Sequence, residues 1–183
     1  LSGLNVKELD ISLSAGSLTF SNSTITTGNL SNSLGNITLS GLSAQKLDLD
    51  LSSGSLAINN STINKGNIKN SLGDIMLNQS KLADSTIDLS SGLIDSHQLT
   101  LSGDITINNS LGDVKLNLVK ESLETLSFDL ETSLGTVKVP SNFQSITGES
   151  DEVGSKLKRI LDNSKGKVVV RNSAGSIELS AAE

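Results

Sequence analysis

The chain of 183 residues carries a formal net charge of −6, with 35% hydrophobic residues, 2% aromatic residues and no cysteine. Because its 14 Lys and Arg residues are scattered, the composition excludes nucleic-acid and anionic-membrane surfaces, both of which need clustered basic side chains. The absence of cysteine excludes disulfides and thiolate metal sites, and no run of about 20 apolar residues marks a membrane-spanning helix.

A short phrase, Ser-x-Gly-polar-apolar-x-apolar, recurs along the chain, and residues 71–77 (SLGDIML) are a clear copy. Its first five glycines are nineteen residues apart and the last three are spaced more widely: Gly16, Gly35, Gly54, Gly73, Gly92, Gly112, Gly135 and Gly175. A fixed period of this length is typical of stacked repeats. Residues 9–46 and 47–84 align without a gap, so a pair of coils was the unit that was duplicated.

Apolar and polar residues alternate within each coil, as in residues 9–13 (LDISL), which is the pattern of strands with one buried face. Two aliphatic columns recur at the coil period: Ile11, Leu30, Leu49, Ile68, Ile87, and Leu18, Ile37, Leu56, Ile75, Ile94. Equivalent strands run in the same direction, so the sheets should be parallel and their crossovers right-handed. The sequence therefore predicts an all-β fold, a right-handed parallel β-helix (β-solenoid) with about 19 residues per coil. A left-handed β-helix would need a six-residue repeat.

The repeat glycine predicts a corner of the coil, since it stands among small polar residues where positive φ is needed. Asn32 and Asn70 alternate with leucines in one column, and we expect them near a bend where the amide can make its hydrogen bonds. Serines share one phase before the corner, and we expect their hydroxyls to bond from coil to coil: Ser14, Ser33, Ser52, Ser71 and Ser90.

The repeat loosens toward the C-terminus. We expect one β-solenoid domain over 1–183, with regular coils at 9–117, looser coils at 118–139, an insertion at 140–166 and a last coil at 167–180. Residues 118–125 (LVKESLET) are a charged excursion.

The insertion at 140–166 contains no copy of the repeat. Val153, Leu157, Ile160 and Leu161 have helical spacing, which predicts a short amphipathic helix from about 151 to 163. Because an open solenoid end exposes unpaired strands, we expect this helix to cover an edge or an end.

Histidine and acidic residues are the first candidates for chemistry. His97 is the sole histidine and falls in a polar, outward column, so we expect a solvated side chain and no Ser-His-acid triad. Asp74, Asp104 and Asp113 follow repeat glycines, but the calcium-binding β-roll needs a nine-residue G-G-x-G-x-D repeat, so we interpret them as turn-forming residues. No catalytic, cofactor-binding or metal-ligating residue is assigned.

Asp50, Lys69 and Asp88 share an outward phase on successive coils. They could form the carboxylate groove of a carbohydrate-active β-helix enzyme or a cross-strand charge ladder, and the absence of Trp and Tyr platforms favours the ladder. Thr24 and Thr62 also match across coils, but no Thr-x-Thr column persists that would indicate ice binding.

The repeated S-[SLA]-G-[DNS]-[IVL]-x-[LIV] phrase and the closing residues 166–179 (GKVVVRNSAGSIEL) resemble the bacterial putative-adhesin β-strand-repeat proteins, a cell-surface β-solenoid family of unknown function. The resemblance covers about residues 9–180. It implies an extracellular solenoid, commonly behind a membrane-spanning segment and in some cases near envelope-stress regulators, and it implies no catalytic residue.

Three functional hypotheses follow. The first is a non-catalytic structural or binding module of the cell envelope, without cofactor, that binds an envelope protein or a surface glycan. The second is a carbohydrate-active enzyme, and the third is the ectodomain of an envelope-stress sensor whose partner docks on residues 140–166. We expect an extracellular or cell-surface location with membrane anchoring in the full-length protein, no nucleic-acid partner and no membrane insertion by the residues present.

Overall fold

The computed structural model describes residues 1–141, 143, 146–150 and 154–183. In chain order its elements are β1 (Asn5–Leu13), β2 (Leu18–Ser21), β3 (Thr24–Leu34), β4 (Ile37–Ser40), β5 (Ser43–Ser53), β6 (Leu56–Asn59), β7 (Thr62–Ile63), β8 (Gly66–Leu72), β9 (Ile75–Asn78), β10 (Lys81–Ser91), β11 (Ile94–Leu111), β12 (Val114–Leu118), α1 (Lys120–Thr125), β13 (Ser127–Leu134), β14 (Val137–Lys138), β15 (Ile146–Ser150), β16 (Ser155–Arg159), β17 (Lys167–Ala174) and β18 (Ile177–Ala181).

Each regular coil contributes a long strand to one parallel sheet and a short strand to another. β1, β3 and β5 pair in the long-strand sheet, while β2, β4 and β6 pair in the short-strand sheet. The first corner, which holds Ser-x-Gly, leads from the long strand to the short one, and the second corner leads back. The predicted β-solenoid with coils about nineteen residues apart is confirmed; its right-handed sense rests on the general rule for parallel crossovers.

The two aliphatic columns form the core, as predicted. Ile37 pairs with Leu56 and Leu56 with Ile75, and all three side chains are fully buried. Phe20 and Phe128 also lie inside, at 0% exposure. Each buried aliphatic side chain contributes on the order of 1.5–3 kcal/mol, so these ladders are the main stabilising feature of the solenoid.

The stacking order of the coils differs from their order in the sequence. Six coils follow one another over residues 5–118, all of which the structure describes. β17 then pairs in parallel with both β11 and β13, and β18 pairs with both β12 and β14. Residues 167–180 are the last coil in the chain but not the last in the stack, because they lie between residues 105–118 and residues 127–138.

The insertion covers the C-terminal edge of the long-strand sheet. β16 pairs antiparallel with β13, and β15 pairs antiparallel with β16. The expected edge cover is confirmed, but the expected helix over 151–163 is wrong at residues 155–159, which are a strand; residues 151–153 lie outside the described residues. The unpaired backbone groups of β13 offer a ladder of hydrogen bonds, which overrides the helical spacing of the apolar residues.

The helix α1 occupies the excursion at 118–125, where the sequence indicated only a charged connection. Because a helix cannot continue the backbone ladder of the sheet, the Ser122 side chain bonds the backbone of β11 instead. Its hydroxyl accepts from the Leu101 amide at 2.8 Å and donates to the Leu101 carbonyl at 3.1 Å. Leu123 is buried beside it.

The first corner stacks so closely that its glycines cannot carry a side chain. A Cβ atom on Gly73 would lie 2.2 Å from the Gly54 carbonyl oxygen, at φ +126°. The amide of Asn70 donates to the carbonyls of Gly54 and Gly73 at 3.0 and 3.1 Å, so the predicted place of this asparagine at a bend is confirmed.

The predicted hydrogen bonds between serine hydroxyls of the first corner are absent. The side chains of Ser33 and Ser71 are exposed and make no hydrogen bond among the described residues. A coil-to-coil serine ladder occurs at the second corner instead, where the Leu42 amide donates to Ser61 Oγ and the Ser61 amide donates to Ser80 Oγ.

Candidate functional site

A groove runs along the second corner and ends at the C-terminus. Its volume is about 470 Å³, and its lining includes Asn60, Gln79, Gln98, Lys81, Thr100 and Lys120. Ala182 and Glu183 form one of its borders. This volume lies within the range of about 300–1,000 Å³ that is usual for ligand sites.

The backbone of the second corner directs amide side chains into this groove. Asn60, Gln79 and Gln98 have left-handed backbones with φ of 48° to 51°. Gly41 has a φ of 64° at the same position one coil earlier, so the corner itself requires this conformation. Gln79 Nε2 donates to Gln98 Oε1 at 3.1 Å, which aligns the two amides along the groove.

The groove offers hydrogen-bond donors and acceptors together with two cations. Each amide presents one carbonyl oxygen and one NH₂ group, and Lys81 and Lys120 add ammonium groups. Such a lining can hold a ligand rich in hydroxyl groups. These residues were not predicted from the sequence, because glutamine rarely adopts positive φ. The available signal was the column of residues nineteen apart to which they belong, since it also contains Gly3, Asn22 and Gly41.

Asp50, Lys69 and Asp88 do lie side by side on the outer face of the long-strand sheet. Asp50 and Asp88 both pair in register with Lys69. The column continues as a charge ladder, because Asp88 accepts from Asn108 at 2.7 Å and Arg171 lies 3.6 Å from Glu131. The depression beside Asp50 and Lys69 measures about 210 Å³, below the usual size of a ligand site.

The three aspartates that follow glycines bind the backbone of the next coil. Asp74 accepts from the Leu93 amide at 2.9 Å, Asp113 from Ser176 at 2.8 Å and Asp104 from Lys167 at 3.1 Å. Their interpretation as turn-forming residues is confirmed. Within the described residues, no group of three or more His, Asp or Glu side chains could hold a metal ion.

His97 and the matched threonines lie on the surface. His97 is exposed and pairs in register with Asn78, as its column predicts. Thr24 and Thr62 are separated by Ser43, and Lys81 follows Thr62, so the structure contains no continuous threonine array there.

An ion-pair cluster around the buried Asp129 stabilises the last coils of the long-strand sheet. Asp129 is 6% exposed; Lys167 donates to its Oδ2 at 2.9 Å, and Arg171 Nη2 lies 2.9 Å from its Oδ1. Burial alone would raise the pKa of Asp129, but the Lys167 hydrogen bond and the charges of Arg171 and Lys167 outweigh it and lower that pKa.

Arg159 closes the C-terminal end of the core. Its guanidinium carbon lies 3.8 Å from the ring centroid of Phe143 and 5.1 Å from that of Phe128. It also donates to the carbonyls of Leu123 and Leu126. Burial lowers the pKa of Arg159, and the aromatic and carbonyl contacts compensate for its lost hydration.

Family comparison agrees with this architecture. The profile of Toastrack DUF4097 matches residues 3–180, nearly the whole chain. The chain belongs to the Toastrack DUF4097 family. The resemblance drawn from the repeats, to a β-solenoid family of unknown function, is confirmed by this Toastrack assignment.

Other comparisons add little. No curated protein matches the Toastrack chain significantly. Among solved structures, it is similar to a putative cell adhesion protein from Clostridium sporogenes ATCC 15579, with 10% identity and a TM-score of 0.31 over 97% of this chain and 92% of that chain. Within the part of the chain that the structure describes, no helix has the length and apolar character of a membrane span.

Proposed function

We propose that this Toastrack chain is a non-catalytic binding module of the cell envelope, and that it holds a surface glycan in the groove of the second corner. The groove of about 470 Å³ carries the proposal, since aligned amides project into it from successive coils. Amide groups donate to and accept from sugar hydroxyls, and the regular spacing of the coils suits a ligand that is itself a repeating chain.

Catalysis has weaker support from the geometry. The described lining of the groove contains one carboxylate side chain, Glu183, at its border, so it lacks the pair of carboxylates that glycosidases use. Asp50 and Lys69 lie on an open face, where water competes with every contact. We propose an extracellular or cell-surface location, with an anchor outside these residues, because a surface glycan is met there.

The proposal is tested by glycan-array binding followed by calorimetry on the best ligand. The variant Gln79→Gly/Gln98→Gly removes both amides and keeps a residue that tolerates positive φ, as Gly41 does at the same corner. We expect its affinity to fall at least tenfold, which corresponds to about 1.4 kcal/mol or more. Gln45→Ala is the matched control, because Gln45 belongs to an exposed amide pair with Asn64 outside the groove. Unchanged affinity in the double variant would refute the proposal that the glycan binds in the groove.

A carbohydrate-active enzyme is the second candidate, and the register of Asp50, Lys69 and Asp88 is the observation in its favour. Incubation with the bound glycan separates the two functions. We expect no new reducing ends; release of reducing ends that disappears when these three residues are replaced by alanine would establish the enzyme instead.

A further inference from the structure

A ridge of exposed leucines runs along the first corner, away from the groove. Four leucines at the x position of Ser-x-Gly are 53–59% exposed: Leu34, Leu72, Leu111 and Leu134. Turn positions usually carry small or polar residues, and these side chains do not reach the core. Neither the turn nor the core therefore accounts for them.

The stacking order places a leucine at every second level of this ridge. Every repeat glycine except Gly135, at the last level, donates its N–H to the carbonyl of the x residue one level further on. These bonds give the order of levels one to eight: Ala15, Leu34, Ser53, Leu72, Ser91, Leu111, Ala174 and Leu134. The leucines thus stand roughly 9.6 Å apart, with a notch at each small residue between them. In sequence order Leu111 and Leu134 would be neighbours, so the alternation depends on the inserted C-terminal coil.

A column of serines borders the ridge. The residue before x is an exposed serine at all eight levels: Ser14, Ser33, Ser52, Ser71, Ser90, Ser110, Ser173 and Ser133. None of these hydroxyls makes a hydrogen bond among the described residues. A hydroxyl both donates and accepts, so two such columns can satisfy each other.

We propose that the first-corner ridge binds the same ridge of a second copy, with the two rods antiparallel. A two-fold axis perpendicular to the rods places level one opposite level eight and level two opposite level seven. Every leucine then enters a notch of the partner copy, for example Leu72 opposite Ser91 and Leu111 opposite Ser53. The serine columns face each other in the same arrangement. The ridge is thus complementary to itself, as an isologous interface requires.

The alternation of the ridge favours antiparallel over parallel rods. A two-fold axis along the rods would make them parallel and place every leucine opposite its own copy at the same level, so no leucine would enter a notch. Antiparallel rods also keep the acids beside the ridge apart, because they place Asp74 opposite Leu93 and Asp113 opposite Ser55.

The contact is small. Eight levels at roughly 4.8 Å each make a ridge about 40 Å long and one corner wide. Such a strip covers roughly half of the ~800 Å² per partner that stable complexes bury, so the dimer belongs to the weak, transient class. Display on a surface would favour it by raising the local concentration.

Sedimentation velocity from about 10 μM to about 1 mM tests the proposal. We expect a concentration-dependent dimer that Leu72→Ser/Leu111→Ser weakens at least tenfold. Met76→Ser is the control, because Met76 is also an exposed hydrophobic side chain (41%) but lies on the short-strand sheet, outside the ridge. The variant Ser53→Leu/Ser91→Leu fills two notches with a residue that the same corner carries elsewhere. Interlocking ridges predict weaker association for this variant, whereas stronger association or a monomer at every concentration would overturn the proposal.

Spin labels report the direction of the rods. A label at Ser14→Cys lies at level one, and the chain has no other cysteine. Antiparallel rods separate the two labels by seven levels, roughly 35 Å. Parallel rods would bring the labels within about 20 Å, and that result would refute the arrangement.

Discussion

Alanine in place of Gly73 should destabilise the solenoid by about 4 kcal/mol, through a backbone strain and a steric clash that can be measured separately. The φ of +126° costs an L-residue about 1–3 kcal/mol. The new Cβ would also lie 2.2 Å from the Gly54 carbonyl oxygen, against a minimum of 3.0 Å for real Cβ contacts, so the corner must move by at least 0.8 Å (3.0 − 2.2). Overpacking of this kind costs about 1–3 kcal/mol more.

Gly16 is the matched control because it has a similar φ of +110° and nothing within 4 Å of the Cβ position. Gly16→Ala should therefore cost only the strain, about 2 kcal/mol. Gly135 lies at the opposite end of the stack but has the 2.2 Å contact, so Gly135→Ala should behave like Gly73→Ala if the clash decides the cost.

Urea unfolding followed by far-ultraviolet circular dichroism measures these differences, provided that the m-value is the same in all variants. Equal destabilisation by Gly16→Ala and Gly73→Ala would refute the close stacking of the corners. If Gly16→Ala and Gly135→Ala, at the two ends of the rod, destabilised the protein equally and less than Gly73→Ala, the position in the rod and not the steric contact would determine the loss of stability.

Three further predictions concern single side chains. Asp129→Asn should lower the free energy of unfolding by about 1–3 kcal/mol at pH 7. Because the folded pKa of Asp129 lies below the ordinary value of 3.8, this stability is present above that value and is lost as the pH falls through the folded pKa. The free energies of unfolding of variant and wild type should therefore converge in acid, and a difference that stays constant with pH would contradict the assignment. Arg159→Lys should lower the free energy of unfolding by about 1–2 kcal/mol, and with it the midpoint of thermal unfolding by several degrees, since an ammonium lacks the flat face of the guanidinium that lies over Phe143 and near Phe128; an unchanged midpoint would show that these contacts do not stabilise the core. Gln79→Gly should keep or raise the urea midpoint, because Gly41 shows that the corner accepts glycine; a loss above about 1 kcal/mol would mean that the amide is structural.

The regular coils were predictable because their signal is local and repeated. The phase of Ile37, Leu56 and Ile75 determines which face is buried, and one fixed period repeats that information in every coil. The aspartates Asp74 and Asp113 were interpreted correctly for the same reason, since each follows a glycine that marks a corner.

The stacking order was not predictable from the phrase itself. Residues 173–179 would make the same corner and strands at the end of the rod or one level inside it. The signal that distinguishes the two stacking orders is long-range. The exposed leucines alternate with small residues only when the level of Ala174 lies between those of Leu111 and Leu134. The helix predicted over 151–163 failed because pairing with β13 is also long-range.

The groove was missed because its geometry is a property of the backbone. Gln79 and Gln98 have no preference for positive φ, and only the column shared with Gly41 reveals that the corner imposes it. Nor does the sequence indicate that Lys120 and Glu183 border the same groove, because these residues follow at distant points of the chain.

Both proposed surfaces depend on the C-terminal coil, which borders the groove and completes the alternation of the ridge. Paired cysteines in the exposed serine column test its place directly, because Ser110 and Ser173 lie one level apart, roughly 4.8 Å, whereas Ser110 and Ser133 lie two levels apart, roughly 9.6 Å. A disulfide needs Cα atoms closer than about 7 Å. Under mild oxidation, Ser110→Cys/Ser173→Cys should form a disulfide within one chain and lose both free thiols, whereas Ser110→Cys/Ser133→Cys should keep them. The reverse outcome would place residues 167–180 at the end of the rod and contradict the stacking order.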